Sequence, residues 1–244
     1  MKGILLAAGR GSRMCELTQD RPKCLVELQG RTLLDLQRSA LTSAGIQEVG
    51  LVRGYRGECF EGFGLHCFQN PRWSTTNMVA SLQCAAAWLR AETCIVSYSD
   101  IFYSADTVRA LAASEHDLAI AYDPDWFKLW SRRFPDPLSD AESFRHEGGE
   151  LLDIGQKTTS MDDIQGQYMG LLRFTPEGFA HIEAHLATVD ADRLDMTTLL
   201  RQLLERGLRI GIVPVVGSWG EVDSDTDLGI YHQMIQEGAI SFPP

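Results

Sequence analysis

Short apolar runs alternating with amphipathic stretches constrain this chain more than any other feature. Residues 3–8 form a continuous apolar run, the pattern of a strand buried on both faces. Residues 32–44 carry Leu33, Leu34, Leu36, Ala40 and Leu41 near helical spacing, and Gly45 supplies the stop. The alternation continues, with strands predicted at 49–52, 65–68, 93–98 and 117–121 and helices at 76–89 and 106–113. Repeated strand–helix units bury their apolar faces as a largely parallel, doubly wound α/β sheet. After residue 122 the alternation breaks. The stretch DPDWFKLWSRRFPDPLSDAESF is aromatic, charged and proline-bearing, and its large apolar side chains argue against disorder. We read 122–147 as a lid or insertion over a site, within one domain spanning 1–244. Beyond it, strands are predicted at 151–155, 168–174 and 209–213, and helices at 176–187, 196–205 and 225–236. No internal repeat or low-complexity segment interrupts this organisation.

Composition narrows the partners. A formal net charge of −11 is the wrong sign for a nucleic-acid binder, which needs a basic face. It does not exclude a small phosphorylated ligand, because a few local cations and a metal ion can overcome the global field. None of the 6 cysteines forms a C-x-x-C pair, and no histidine cluster completes a zinc pattern. They read as reduced, mostly buried thiols. The apolar run at the N-terminus is too short for a signal peptide, and no run approaches the about 18 apolar residues of a membrane span. A cytoplasmic location is expected, with no nucleic acid and no membrane insertion. A homodimer is the assembly to test.

Residues 6–28, LAAGRGSRMCELTQDRPKCLVEL, follow the first strand. A dinucleotide fingerprint would need a third glycine where Met14 stands, and no P-loop run follows Gly9. Gly9 and Gly11 still allow close backbone approach to a ligand and positive φ. Ser12 and the backbone amides can donate to phosphate oxygens. Arg13 offers a planar fork, and Lys23, held by Pro22, adds a point charge. The same residues would also serve as a surface turn with solvated cations.

The combination L-A-A-G-x-G-x-R-M followed by Pro22-Lys23 resembles the signature loop of nucleotidyltransferases with the sugar-phosphate nucleotidyltransferase fold. That resemblance implies a Rossmann-like, mostly parallel mixed sheet flanked by helices. It also implies that the segment from Leu6 through Ala8, Gly9, Gly11 and Ser12 wraps a nucleoside triphosphate. Arg13 and Lys23 would then be catalytic, lying on the phosphates, with Lys23 stabilising the transition state.

Chemistry on a nucleoside triphosphate uses Mg²⁺ held by one or two carboxylates and phosphate oxygens. Such acids belong where strands end, in the crevice at the carboxyl edge of the sheet. Asp100 closes the apolar run CIVSYSD, although an acid there could equally cap a helix or shape a turn. Glu221, Asp223, Asp225 and Asp227 crowd the segment GSWGEVDSDTDL. If that segment is extended, Glu221 and Asp223 share a face. The family resemblance makes Asp100 and Asp223 the metal ligands. It leaves Glu221 a supporting or substrate-binding role, and Asp225 or Asp227 the cap of the last helix.

Asn77 and Ser81 are four apart on the helix predicted at 76–89 and could read a pyrimidine edge. Alternatively, Ser74, Thr75 or Thr76 caps that helix and Asn77 is incidental. Trp73, Asn77, Ser81 and Leu82 resemble the pattern of the phosphocholine cytidylyltransferase branch, which implies CTP rather than UTP or dTTP. On the acceptor side, Tyr122, Trp126, Phe127 and Trp130 would suit a cage for a quaternary ammonium, or else pack a small core. Arg132 and Arg133 fit a carboxylate-bearing acceptor better than choline. The run DWFKLWSRRFPDPLSDAESFR resembles a sub-branch that includes phosphoglutamine cytidylyltransferase. By the same resemblance Lys157 holds the acceptor phosphate, and Gln167 and Tyr168 complete the pocket. Lys157 could also be a solvated edge-strand lysine.

The expected reaction is attack by an acceptor phosphate or phosphonate oxygen on the α-phosphorus of CTP. It would give a CDP-linked product and pyrophosphate. Two other readings stay open: a sugar-1-phosphate nucleotidyltransferase using UTP, dTTP or GTP, and a non-catalytic nucleotide-sensing domain.

Overall fold

The structure is a computed structural model that describes residues 1–11, Met14 and 17–241. The first strand, β1 (Lys2–Ala7), is buried along nearly its whole length. A turn of 3-10 helix over Lys23–Leu25 and the short ribbon β2 (Glu27–Leu28) and β3 (Arg31–Thr32) lead into α1 (Leu33–Ser43). Thr32 caps α1 by accepting from the Asp35 amide at 3.0 Å, satisfying one of the donors a helix start leaves free. Then follow β4 (Val49–Arg53), β5 (His66–Gln69), α2 (Met78–Cys84) and α3 (Ala86–Ala91). The single helix expected over 76–89 is thus interrupted at Ala85. An alanine-rich run packs equally well on either side of such a break and carries no signal for it.

Next come β6 (Cys94–Tyr98), β7 (Ile101–Tyr103), α4 (Ala105–Ala112), β8 (Leu118–Asp123) and α5 (Trp126–Arg133). The chain continues through β9 (Glu142–Glu147), β10 (Glu150–Lys157), β11 (Gln167–Phe174), α6 (Pro176–Leu186) and α7 (Met196–Glu205). It ends with β12 (Gly211–Pro214), β13 (Trp219–Glu221) and α8 (Asp225–Gln236).

Among the described residues the main sheet has nine strands, in the order β5-β4-β1-β6-β11-β8-β12-β10-β9. β5, β4, β1 and β6 are mutually parallel, as the alternation predicts. β11 then runs antiparallel between β6 and β8. β8 and β12 are parallel again, and β10 and β9 are antiparallel additions at the edge. The sheet is therefore mixed in its second half. Because β11 is inserted between them in the opposite sense, β1, β6, β8 and β12 all finish at one edge.

Alternate residues of β1 serve two cores. Leu5 packs with Leu33, Leu34 and Leu41 of α1 and with Val108 and Leu111 of α4. Ile4 and Leu6 pack on the other face with Val79 and Leu82 of α2, Ile182 of α6 and Leu199 of α7. The period of two along a strand is what sends neighbours to opposite faces. Helices cover both faces, so the strand ends form the open crevice. Among the described residues no helix is long and apolar enough to cross a membrane.

The segment 122–147 is tied to this framework at both ends. Tyr122 and Asp123 finish β8, and residues 142–147 are the edge strand β9. Between them, α5 packs against α8.

Candidate active site

β1 delivers the chain to the crevice, where Gly11 adopts φ of +66°. A Cβ there would come within 3.0 Å of the Lys23 side chain. Glycine is needed twice over, for the left-handed backbone and to let the lysine stem pass. The Gly11 carbonyl accepts from Thr18 Oγ1 at 3.0 Å, which pins the turn. Leu6, Gly9, Gly11, Lys23, Met78, Tyr98, Ser99, Asp100 and Asp223 line a cleft of about 240 Å³. Ala8 is buried with the core, and its carbonyl accepts from the Tyr55 amide at 2.9 Å. Ser12 and Arg13 lie outside the described residues.

Two acids more than a hundred residues apart meet through a small ribbon. β7 and β13 pair antiparallel with Ile101 opposite Glu221. The Val222 amide donates to the Asp100 carbonyl at 2.8 Å. The strand-end acid and the GEVD segment are thereby drawn together. Gln37 of α1, fully buried, donates to the carbonyls of Tyr98 and Ile101 at 2.7 and 2.6 Å and clamps the turn that carries Asp100. Sequence reasoning missed this residue. Its signal is a polar side chain inside the apolar face of α1.

Lys23 reaches into this acidic corner. Its Nζ donates to Asp100 Oδ2 at 2.8 Å and to Asp223 Oδ1. Burial would pull the ammonium's pKa down, but the two carboxylates outweigh burial and the net shift is upward. Asp100, Glu221 and Asp223 each present an oxygen within 4.8 Å of the others. Burial, followed by repulsion from Asp100 and Asp223, pushes the Glu221 carboxyl up to about 7. Asp100 Oδ1 is buried with no hydrogen-bond partner among the described residues. A hard all-oxygen donor set with an unused buried carboxylate oxygen fits a divalent cation such as Mg²⁺. This acidic cluster could therefore hold a metal.

The trio is braced from behind. Arg133, the last residue of α5, donates from Nη1 to Glu221 Oε2 at 3.0 Å and from Nε to Asp227 Oδ1 at 2.8 Å. Asp227 in turn accepts from the amides of Asp223 and Ser224 at 2.9 and 2.8 Å. Burial raises the Asp227 pKa, but Arg133 and these donors outweigh it and hold the carboxyl below its ordinary range. Ser224 and Asp227 form the capping box of α8, so the expected cap at Asp225 or Asp227 is shared by Ser224 and Asp227. Tyr231 of α8 donates its hydroxyl to the Glu221 carbonyl and accepts from the Glu221 amide, both at 2.9 Å.

The remaining candidates are placed as follows. Asn77 is the exposed N-cap of α2, accepting from the Met78 amide at 2.8 Å, and its own amide donates to the Asp192 carbonyl at 2.7 Å. Ser81 is buried and accepts from Asn70 Nδ2 at 3.0 Å. Tyr168 meets Tyr98, which lines the cleft, edge to face at 5.7 Å. Lys157 is exposed and stands opposite Glu142 in the β9–β10 pairing.

Trp126 and Trp130 are 3% and 4% exposed and donate their indole N–H groups to the Ile164 carbonyl and to Asp140. The structure packs these two rings into a core instead of opening them as a cage, because an amphipathic α5 must bury its apolar face. Arg133 likewise departs from the expected acceptor role, since its guanidinium is committed to Glu221 and Asp227.

Comparison with known proteins bears on the family and the fold. The model of the MobA-like NTP transferase domain matches residues 3–157. The chain is 35% identical to the CTP:phosphoglutamine cytidylyltransferase of Campylobacter jejuni over 249 aligned positions, covering 94% of this chain and 98% of that protein. Two solved structures share the fold. One is the inositol-1-phosphate CTP transferase from T. maritima, with a TM-score of 0.77, 17% identity, and 98% and 97% of the two chains covered. The other is the CTP:phosphocholine cytidylyltransferase from Streptococcus pneumoniae, with a TM-score of 0.68, 19% identity, and 97% and 98% covered. A family model that spans the glycine turn, Lys23 and Asp100, and a relative aligned almost end to end, make this chain a nucleotidyltransferase of the MobA-like NTP transferase family.

Proposed function

We propose that the chain is a Mg²⁺-dependent cytidylyltransferase. It transfers CMP from CTP to a small acceptor bearing a phosphate or phosphonate, with an amino-acid phosphate such as phosphoglutamine as the first candidate. The observation that supports this reading best is the near full-length similarity to a CTP:phosphoglutamine cytidylyltransferase, in a chain whose Lys23, Asp100 and Asp223 meet at the cleft.

An acceptor oxyanion attacks the α-phosphorus, a new P–O bond forms, and the bond to the bridging oxygen of pyrophosphate breaks. The nucleophile is already ionised near neutral pH, so no strong base is required. Positioning and charge neutralisation carry the rate. The backbone around Gly9 and Gly11 accommodates the triphosphate. Lys23 donates to a non-bridging oxygen as charge builds there, and Arg13 supplies a second cation by resemblance to the family. Asp100 and Asp223, with Glu221 beside them, would hold Mg²⁺, which when bound neutralises phosphate charge.

Asn77 and Ser81 are our candidates for reading the base, and Lys157 and Tyr168 for the acceptor. A cytoplasmic setting is part of the proposal. A homodimer is part of the proposal, to be read by light scattering.

The acceptor is tested by incubating the protein with CTP, Mg²⁺ and a panel of phosphoglutamine, phosphocholine, phosphoethanolamine, 2-aminoethylphosphonate and sugar 1-phosphates. Products are identified by mass. A CDP-linked amino or amino-acid product is expected, or a CMP–phosphonate from 2-aminoethylphosphonate. A nucleotide sugar as the main product would overturn this acceptor class.

A further inference from the structure

We propose that Arg133 is a positioning residue that sets the divalent-cation affinity of the acid trio from the neighbouring helix α5. Its side chain is only 1% exposed, so it is unavailable to a ligand in the cleft and acts through what it holds. One edge of the guanidinium grips Asp227 through Nε at 2.8 Å and Nη2 at 3.4 Å, and Nη1 takes Glu221 Oε2 at 3.0 Å. These two acids flank Asp223 in sequence. Asp227 Oδ2 also takes the Asp223 amide, so the backbone that carries the Asp223 carboxylate is fixed by the same fork. A single buried group therefore sets two of the three candidate ligands, one directly and one through Asp227.

The guanidinium is itself fixed. It lies 5.3 Å from the Trp130 ring and 5.1 Å from the Phe134 ring, with α5 seated on α8. Lysine could keep the charge but not the planar fork that spans two carboxylates. Groups that hold metal ligands from behind commonly change metal affinity by about 10–100-fold when removed. The inference rests on the cation reading of the trio and not on the identity of nucleotide or acceptor.

The test is Mn²⁺ binding followed by electron paramagnetic resonance, on the protein alone and with CTP, for the wild type and Arg133→Lys. Folding is checked by circular dichroism and melting. Arg133→Lys is expected to fold and to bind Mn²⁺ about 10-fold or more weakly. A purely structural role would lower the melting temperature and leave Mn²⁺ affinity within twofold, which would overturn the inference. If Arg133→Lys does not fold, Asp227→Asn weakens the half of the link that runs through Asp227 to the Asp223 amide while leaving the Arg133–Glu221 contact in place, and is expected to weaken Mn²⁺ binding severalfold; affinity within twofold of wild type would overturn the inference. Failure of the wild type to bind Mn²⁺ in either condition overturns both the trio's cation reading and this inference. Mn²⁺ binding that depends on Arg133, in a protein inactive with CTP, would instead overturn only the proposed substrates.

Discussion

Lys23 combines burial, charge and position in a way that few other side chains here do. It sits between two carboxylates at the mouth of the glycine turn. Losing a preorganised donor to developing charge costs roughly 2.7–4 kcal/mol of transition-state stabilisation. We expect Lys23→Ala to lower kcat by about 10²–10³-fold while the far-ultraviolet dichroism stays that of the wild type. Steady-state kinetics within a few-fold of wild type would remove Lys23 from the chemistry.

Asn77 presents a different case. Its cap on α2 is visible in the structure, and Asn77→Ala is expected to cost about 1 kcal/mol in a urea unfolding titration. Asn77→Asp keeps a capping oxygen and should hold that stability. Comparing CTP and UTP kinetics in the two variants then isolates any part Asn77 plays in reading the base.

At the scale of elements, the site depends on the β7–β13 ribbon, whose strands are three residues each. Gly220 lies at its centre. A Cβ there would meet Phe102 at 2.5 Å and Tyr231 at 2.6 Å. Gly220→Ala should therefore destabilise the protein by about 1–3 kcal/mol through overpacking, and should reduce activity further by separating Asp100 from Glu221. Melting curves and kcat measured below the transition separate the two effects. An alanine variant with wild-type stability would show that the ribbon relaxes without cost.

Three-residue strands leave no periodic signal. The sequence reading could therefore identify the strand-end acid and the acidic segment, while their junction needed the structure. The helix at 196–205 was legible because Met196, Leu199, Leu200 and Leu203 fall at helical spacing, whereas the helix at 225–236 was legible in extent but not in its N-cap, which is Ser224. α5 was not, because its two tryptophans and two arginines read equally well as an aromatic cage, a lid or a packed helix. Burial decides that question, and burial depends on α8, nearly a hundred residues away.

Across the whole molecule, the parallel half of the sheet was the most legible part. Strands covered on both faces are continuous apolar runs, and β1, β4 and β6 are of that kind. The antiparallel insertion of β11 was not legible, since pairing partners far apart in sequence leave no trace in local pattern. Yet that insertion leaves β1, β6, β8 and β12 ending on one edge, which is where the glycine turn, Asp100 and the acidic segment converge.

We propose that this edge performs cation-dependent nucleotidyl transfer from CTP, and the decisive measurement is pyrophosphate release from CTP, UTP, dTTP, GTP and ATP with a phosphorylated acceptor mixture, in Mg²⁺, after EDTA, and after Mg²⁺ is restored. Release is expected with CTP alone, abolished by EDTA and recovered with Mg²⁺. Release with UTP, dTTP or GTP and a sugar 1-phosphate, or release from CTP that survives EDTA, would contradict this proposal.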